Sequence, residues 1–189
     1  TCGISAGAEK VFAAFKDEIA AKNLPVALKE TGCMGNCHDE VLVEVDEGDH
    51  RFLYGKVDGD MVRQIVGQHL IEGQPVKEWL VPLADNPFFM DQHRIVLRNC
   101  GRIDPNSIDE YIAVGGYQAI QKAIRQLSPE QVIDMIIKSG LRGRGGGGFS
   151  TGMKWKFARS AEGEKKYIIC NADEGDPGAF MDRSALEGD

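Results

Sequence analysis

The chain has 189 residues, a formal net charge of −7 and a pI of about 5.2. An acidic chain of this kind lacks the broad positive surface of a general nucleic-acid binder, and no apolar run approaches the ~20 residues that a membrane-spanning helix needs. Its 42% hydrophobic and 27% charged residues are typical of a folded globular protein. The five cysteines are an odd number, which favours a reducing compartment over a disulfide framework.

The first third of the chain alternates helical and strand-like patterns. Residues 8–23 carry apolar side chains at helical spacing, residues 26–29 and 41–45 read as strands, and residues 52–57 read as a second hairpin strand. A further helix follows, with Val62, Ile65, Val66 and Leu70 on its inner face. The order predicts a small β/α domain.

Three cysteines in this region are spaced as candidate metal ligands. Cys33 and Cys37 flank three residues of a glycine-containing loop, a spacing that lets two thiolates reach one metal centre, and Cys2 precedes the first helix. Structural zinc is the alternative, but it usually takes cysteine pairs separated by two residues, so an iron–sulfur cluster is favoured. His38 stands beside two acids and is more typical of a solvated loop residue than of a ligand.

Residues 73–92 combine glycine and prolines with the aromatic residues Trp79, Phe88 and Phe89. A free linker would leave this aromatic surface exposed, so the segment is predicted to be an ordered connector that docks on the next domain. Beyond it, residues 107–126 and 128–139 read as helices. The second has Ser128 as N-cap, Pro129 at the first helical position and Gly140 as its stop. Cys100 and Cys170 have no nearby cysteine and are predicted to be buried small apolar residues.

A glycine-rich run is the strongest functional signal in the chain. Five of the six residues 143–148 are glycine, the exception being Arg144, and such a backbone can bring its N–H groups against a planar or phosphorylated ligand. Five cations lie nearby in this acidic chain, which favours a small anionic cofactor over a flexible glycine linker: Arg142, Arg144, Lys154, Lys156 and Arg159. The run is neither a Rossmann turn, because a helix-like segment precedes it, nor a P-loop, because Gly148 is followed by Phe149.

The next elements place polar groups beside this run. Residues 152–159 read as a short helix, and residues 167–170 read as a buried strand that delivers the polar loop 171–178. Ligands of open α/β sheets lie outside the carboxyl ends of strands, so this loop is expected to supply hydrogen bonds to a ligand. An acidic surface turn is the alternative.

Two long motifs carry a family resemblance. The stretches GLRGRGGGGFSTGMKW from Gly140 and NADEGDPGAFMDR from Asn171 resemble the FMN- and NADH-binding flavoprotein subunits of the complex I 51 kDa family. The second motif looks closer to the β subunits of soluble, often electron-bifurcating, NAD(P)-linked hydrogenases and formate dehydrogenases. The resemblance implies an NAD(P)H dehydrogenase or diaphorase type of oxidoreductase subunit.

The same resemblance implies residue roles. Backbone groups of the glycine run and Arg144 would line the FMN site, and Phe149 and Phe157 would stack on the nicotinamide nucleotide. Asp176 and Ser150 stand where many relatives have glutamate and proline. The resemblance therefore gives weaker support to a nucleotide contact of Asp176 than to the other residue roles. The implied cofactor-binding set is Gly143, Arg144, Gly145, Gly146, Gly147, Gly148, Phe149, Lys154, Phe157, Asn171, Asp173, Glu174 and Asp176.

The first domain resembles a thioredoxin-like [2Fe–2S] ferredoxin, which hydrogenase β-type subunits carry just ahead of the flavin domain. This resemblance implies Cys2, Cys33 and Cys37 as cluster ligands, with a fourth cysteine expected upstream of Thr1. The fold class is therefore α/β, a thioredoxin-like [2Fe–2S] domain followed by the N-terminal part of an α/β FMN-binding domain. The expected boundaries are 1–72, a connector at 73–92, and 93–189.

Both ends are expected to be incomplete, since the chain has no starting methionine and the family's later parts, including a [4Fe–4S] region, would lie beyond Asp189. The implied cofactors are FMN, NAD(H) or NADP(H), and [2Fe–2S]. The implied partners are a small [2Fe–2S] subunit and a hydrogenase or formate dehydrogenase subunit in the cytoplasm. The alternatives are the equivalent subunit of a membrane-attached respiratory complex and a non-catalytic electron-relay or assembly module.

Overall fold

A computed structural model describes residues 2–82 and 91–189 of the chain. They form two compact units, one of residues up to 110 together with 174–189, the other of residues 111–173. The α-helices are α1 (Cys2–Ala6), α2 (Ala8–Ala21), α3 (Gly59–Gln64), α4 (Ile108–Ala113), α5 (Gln118–Gln126), α6 (Pro129–Ser139), α7 (Thr151–Ser160) and α8 (Met181–Gly188). The strands are β1 (Val43–Asp46) and β2 (Arg51–Tyr54), which pair antiparallel with Val43 opposite Tyr54.

Helices α2 and α3 pack against each other and, with Tyr54 of β2, form much of the core of the first unit. The apolar positions of α2 recur at helical spacing, so Val11 and Phe15 point into this core. Asp58 caps α3, because its Oδ1 accepts from the N–H groups of Asp60 and Met61 at 3.0 Å. The buried cluster consists of Val11, Phe15, Val41, Tyr54, Val57, Val62, Ile65, Val66 and Val76.

The predicted helix at 8–23 is confirmed as α2, and both hairpin strands are confirmed with shorter bounds. The predicted strand at 26–29 is wrong, since residues 24–34 form neither helix nor strand. A strand needs a hydrogen-bonded neighbour, and among residues 2–82 and 91–189 the only sheet is the pair β1 and β2. The last predicted helix of this region is confirmed, but it continues beyond α3 as a π-helical segment at Ile65–Ile71.

The connector predicted at 73–92 lies partly outside the described residues, which omit 83–90. Within its described part, Lys77–Trp79 forms a short 3-10 helix and Val76 is buried. The domain boundaries around this connector remain a prediction.

Helix α8 packs within the first unit, where the Cys100 thiol donates to the Ser184 carbonyl oxygen at 3.4 Å. Cys100 is therefore buried, as predicted.

The second unit is largely helical. The predicted helix at 107–126 is divided into α4 and α5, because Gly115 and Tyr117 adopt φ values of +95° and +63° between them. Helix α6 is confirmed with a complete capping box, in which the Ser128 hydroxyl accepts from Gln131 N–H at 3.2 Å and the Ser128 N–H donates to the Gln131 side chain at 2.8 Å. In the part of the chain that the structure describes, no helix has the length and apolar character needed to cross a membrane.

The predicted buried strand at 167–170 is wrong. These residues form neither strand nor helix, and Tyr167 and Ile168 are 81% and 100% exposed. Cys170 is likewise exposed, which corrects its predicted burial. The apolar run carries the composition of a strand, but within the described residues no neighbouring strand pairs with it.

Candidate functional site

The glycine run forms a loop that is closed at its base. Arg142 and Ser150 form an isolated antiparallel bridge. Gly143 N–H donates to the Phe149 carbonyl oxygen at 2.8 Å, and Thr151 N–H donates to the Leu141 carbonyl oxygen at 3.0 Å. The ends of the run are therefore held side by side, and the loop between them projects from a fixed base.

The tip of this loop is open to solvent. Gly146 and Gly148 have φ values of +97° and +59°, a region that side chains strongly disfavour. No atom lies within 4 Å of the point where a side chain would begin at Gly145, Gly146 or Gly147. A flat or phosphorylated ligand can therefore approach the tip backbone closely, and this open glycine surface fits FMN.

Helix α7 begins directly after the loop and is anchored at its first turn. Ser150 caps α7, since its hydroxyl accepts from Met153 N–H at 3.4 Å. A side chain at Gly152 would lie 2.6 Å from both Cγ1 and N of Ile137, so α7 contacts α6 through bare backbone. Sequence reasoning missed this role of Gly152. A glycine at the second position of a short helix is the signal that points to close helix packing.

The structure places several predicted cofactor residues on α7 or directly before it. Phe149 and Phe157 have ring centroids 6.4 Å apart and are 57% and 58% exposed. Lys154 lies on the exposed part of the same helix. Exposed aromatic rings and a cation on one short helix are suited to binding a flat, negatively charged ligand.

Both arginines of the loop donate to its own backbone. Arg144 Nη1 donates to the Arg142 carbonyl oxygen at 2.9 Å, and Arg142 Nε donates to the Gly148 carbonyl oxygen at 2.5 Å. Sequence reasoning placed Arg144 in the site and left Arg142 in the surrounding cationic patch. The contact across the loop could not be read from spacing alone, because it depends on the turn that brings residue 148 back to residue 142.

The polar loop after residue 170 is divided between the two units. Asn171 and Asp173 are exposed in the second unit, where the Asn171 Oδ1 accepts from Asp173 N–H at 3.1 Å. Glu174 and Asp176 belong to the first unit. There the Glu174 carboxylate accepts from the N–H groups of Asp182 and Arg183 at 2.6 and 3.1 Å, so it caps the N-terminus of α8. Its predicted contact with flavin remains a prediction.

The three candidate metal ligands converge in the first unit. Cys33 and Cys37 have their sulfur atoms 3.8 Å apart, and the Gly35 N–H points at the Cys33 sulfur from 3.3 Å. Burial, together with hydrogen bonds to Cys2 and Cys33, raises the pKa of Cys37 to about 12. Clustered thiols with a backbone N–H···S contact fit an iron–sulfur centre. Within residues 2–82 and 91–189, however, no three His, Cys, Asp or Glu side chains already have the arrangement of a metal site.

Asn36 lies between these cysteines in the sequence and is completely buried. Its Nδ2 donates to Asp39 Oδ2 at 3.0 Å, which ties the cysteine loop to the 3-10 turn Cys37–Asp39. His38 is 71% exposed and lies 3.2 Å from the Asp39 carboxylate. This placement agrees with its interpretation as a solvated loop residue.

Comparison with known proteins gives a family match for the C-terminal part of the chain. Residues 136–189 match the family model of the complex I 51 kDa proteins, described as the Nuo51 FMN-binding domain. This confirms the family resemblance of the glycine run and of the motif that follows it. The matched segment contains every residue of the predicted cofactor-binding set.

Curated relatives come from two kinds of complex. The chain is 56% identical over 98 residues to the NADP-reducing hydrogenase subunit HndC of Solidesulfovibrio fructosivorans, covering 52% of this chain and 20% of that protein. It is 53% identical over 95 residues to a subunit of the NADH-quinone oxidoreductase of Aquifex aeolicus, covering 50% and 22%. The chain thus spans about a fifth of the length of these relatives.

Among solved structures, a thioredoxin-like [2Fe–2S] ferredoxin from Aquifex aeolicus is 29% identical, with a TM-score of 0.39. The match covers 45% of this chain and 78% of that ferredoxin.

Proposed function

We propose that this chain, whose residues 136–189 match the family model of the complex I 51 kDa proteins, is part of a flavoprotein subunit that passes electrons between NAD(P)H and iron–sulfur clusters. The single observation that carries the proposal is the closed glycine loop with its open tip, in a segment that matches an FMN-binding domain. The reaction class is that of an NAD(P)H dehydrogenase or diaphorase.

The residues of this chain bind and orient the cofactor. Bound FMN supplies the chemistry, exchanging a hydride with nicotinamide and single electrons with iron–sulfur centres. The loop N–H groups at residues 143–148 and the Arg144 and Lys154 cations would hold and polarise the flavin. Phe149 and Phe157 would stack on the nucleotide and exclude water. Asn171, Asp173, Glu174 and Asp176 complete the proposed set as hydrogen-bonding groups.

Cys2, Cys33 and Cys37 are proposed to hold a [2Fe–2S] cluster. Their thiols are already close together, and the Gly35 N–H can donate to a ligating sulfur. Such a cluster takes four protein ligands, so one more must be supplied by another residue.

The proposed domain division places the cluster in residues 1–72, a connector at 73–92 and the FMN site in 93–189. A [4Fe–4S] centre would belong to a further region.

Two settings fit the curated relatives. This chain is 56% identical to the hydrogenase subunit HndC and 53% identical to the NADH-quinone oxidoreductase subunit of Aquifex aeolicus over the matched residues, so the two values are nearly equal. We place the chain first in a soluble hydrogenase- or formate-dehydrogenase-type complex of the cytoplasm, with a respiratory complex second. The partners would be a small [2Fe–2S] subunit and the hydrogen- or formate-oxidising subunit.

A pair of substitutions tests the two-site proposal in the natively purified complex. Lys154→Met is expected to weaken FMN retention about tenfold, because a charge-assisted contact is lost, while the cluster EPR signal stays. Cys37→Ser is expected to remove or alter the cluster signal and to leave the FMN content unchanged. Lys138→Met, on exposed α6 of the same unit, is the matched control and should change neither. Loss of both signals from either single substitution would contradict two separate sites.

A further inference from the structure

Arg142 spans the glycine loop from one side to the other. Its Nε donates to the Gly148 carbonyl oxygen at 2.5 Å, six residues along the chain. The corresponding contact of Arg144 reaches back only two residues, to the Arg142 carbonyl oxygen. Arg142 is therefore the side chain that joins the two arms of the loop, above the backbone bridge between Arg142 and Ser150.

The loop needs such a contact because its own backbone provides little order. Glycine loses more conformational freedom on ordering than any other residue, and four consecutive glycines fill residues 145–148. Among the described residues, the backbone hydrogen bonds around the loop join its base, Gly143 to Phe149 and Thr151 to Leu141, and none is donated by residues 144–148. The Arg142 contact lies between the base and this unbonded tip.

Gly148 is suited to receive the contact. Its φ of +59° turns the chain back toward Arg142, and a side chain built on Gly148 would have Arg142 Nε as its nearest neighbour, at 3.9 Å. A planar guanidinium that bonds through Nε keeps its other N–H groups and its full charge beside the loop.

We propose that Arg142 is a positioning residue that latches the glycine loop in its cofactor-binding shape by donating from Nε to the Gly148 carbonyl oxygen. The loop N–H groups are then ordered before the ligand arrives, so less ordering entropy is lost on binding. The part of this inference that concerns FMN rests on the proposed function. The part that concerns loop order does not.

Substitutions at residue 142, made in the natively purified protein, test both parts. Arg142→Met keeps the length of the side chain and removes its donors, and Arg142→Lys keeps the charge and a flexible donor. Arg125→Met is the matched control, because Arg125 is an exposed residue of α5 on the same unit and belongs neither to the loop nor to the cationic patch beside it. Each variant is measured for amide hydrogen exchange in the FMN-free state, for FMN affinity, and for the visible circular dichroism of bound FMN.

The latch predicts faster exchange of the Gly143 and Thr151 amides in Arg142→Met and an FMN affinity lower by about threefold to tenfold, or about 0.6 to 1.4 kcal/mol. Arg142→Lys should recover part of both, with a shifted dichroism spectrum, and Arg125→Met should match the wild type. Unchanged exchange or unchanged affinity in Arg142→Met would overturn the proposal. If the wild type binds no FMN, the proposed function fails, while the exchange result still decides the latch. If Arg142→Met does not fold, Arg142→Lys is compared with the wild type in the same three measurements, with smaller changes expected in the same direction.

Discussion

His69 is a buried polar residue with two different contacts through its ring. Tyr54 OH lies within hydrogen-bond distance of Nδ1, at 2.7 Å, and accepts from Val76 N–H at 3.1 Å, while the other ring nitrogen is Nε2. That Nε2 lies 3.4 Å from a Glu47 carboxylate oxygen and has no hydrogen-bond partner among the described residues. Sequence patterning predicted this helix face as apolar and did not single out a buried imidazole.

The buried imidazole predicts a pH dependence of folding. Burial lowers the pKa of His69 below its ordinary value of 6.5, and Glu47 partly opposes this effect. Below pH 6.5 the unfolded chain takes up a proton that the folded chain does not, so stability is complete above that pH and falls as the pH falls. The expected loss is at most about 1.4 kcal/mol per pH unit, down to the lowered folded-state pKa.

Urea unfolding between about pH 5 and pH 7 measures this slope. His69→Gln should be less stable near pH 7 but should lose less stability on acidification. His50→Gln removes an exposed histidine of the hairpin and is the matched control. An acid slope in His69→Gln equal to that of the wild type would show that His69 does not carry the effect.

Among the elements of the second unit, two helices flank the glycine loop and position it. Helix α6 ends at Gly140, whose φ of +69° is the left-handed stop that the sequence predicted. Helix α7 starts at Thr151 under the Ser150 cap and touches α6 at Gly152. Both helices could be predicted because capping and apolar spacing are local in sequence. Their contact could not, since it depends on which faces meet in three dimensions.

Gly152→Ala tests whether this contact holds the loop. The added methyl group would lie 2.6 Å from Ile137, so the helices must separate, with an expected loss of about 1–3 kcal/mol in the free energy of unfolding. Gly145→Ala is the matched control for stability, because no atom lies within 4 Å of the added group. Equal stability of both variants in chemical unfolding would show that α6 and α7 do not need close contact.

The strands show where local patterns fail. Residues 26–29 and 167–170 have strand-like composition, but within the described residues neither has a neighbour to pair with. A strand forms only when a neighbouring strand pairs with it. The composition of one segment therefore shows that it can form a strand, but not that it does. The exposed Tyr167, Ile168 and Ile169 side chains follow from the same lack of pairing.

At the scale of the whole molecule, two compact units carry two different candidate sites. The first unit gathers Cys2, Cys33 and Cys37, and the second holds the glycine loop with Phe149, Phe157 and Lys154. The sequence predicted these residues because Cys33 and Cys37 share one short loop, the glycine run is contiguous, and a family resemblance covers both regions. It could not predict that Glu174 caps α8 or that Arg142 crosses the loop, because each contact joins residues through a turn of the backbone.

In the proposed function, electrons from a nicotinamide nucleotide enter at a flavin on the glycine loop and leave through iron–sulfur centres. An anaerobic titration of the natively purified complex with NADH, then with NADPH, tests it by flavin absorbance and by EPR of reduced clusters. We expect the flavin to bleach first and the cluster signals to follow, with at least one of the two nucleotides. A preparation without flavin, or a flavin that neither nucleotide reduces, would contradict it.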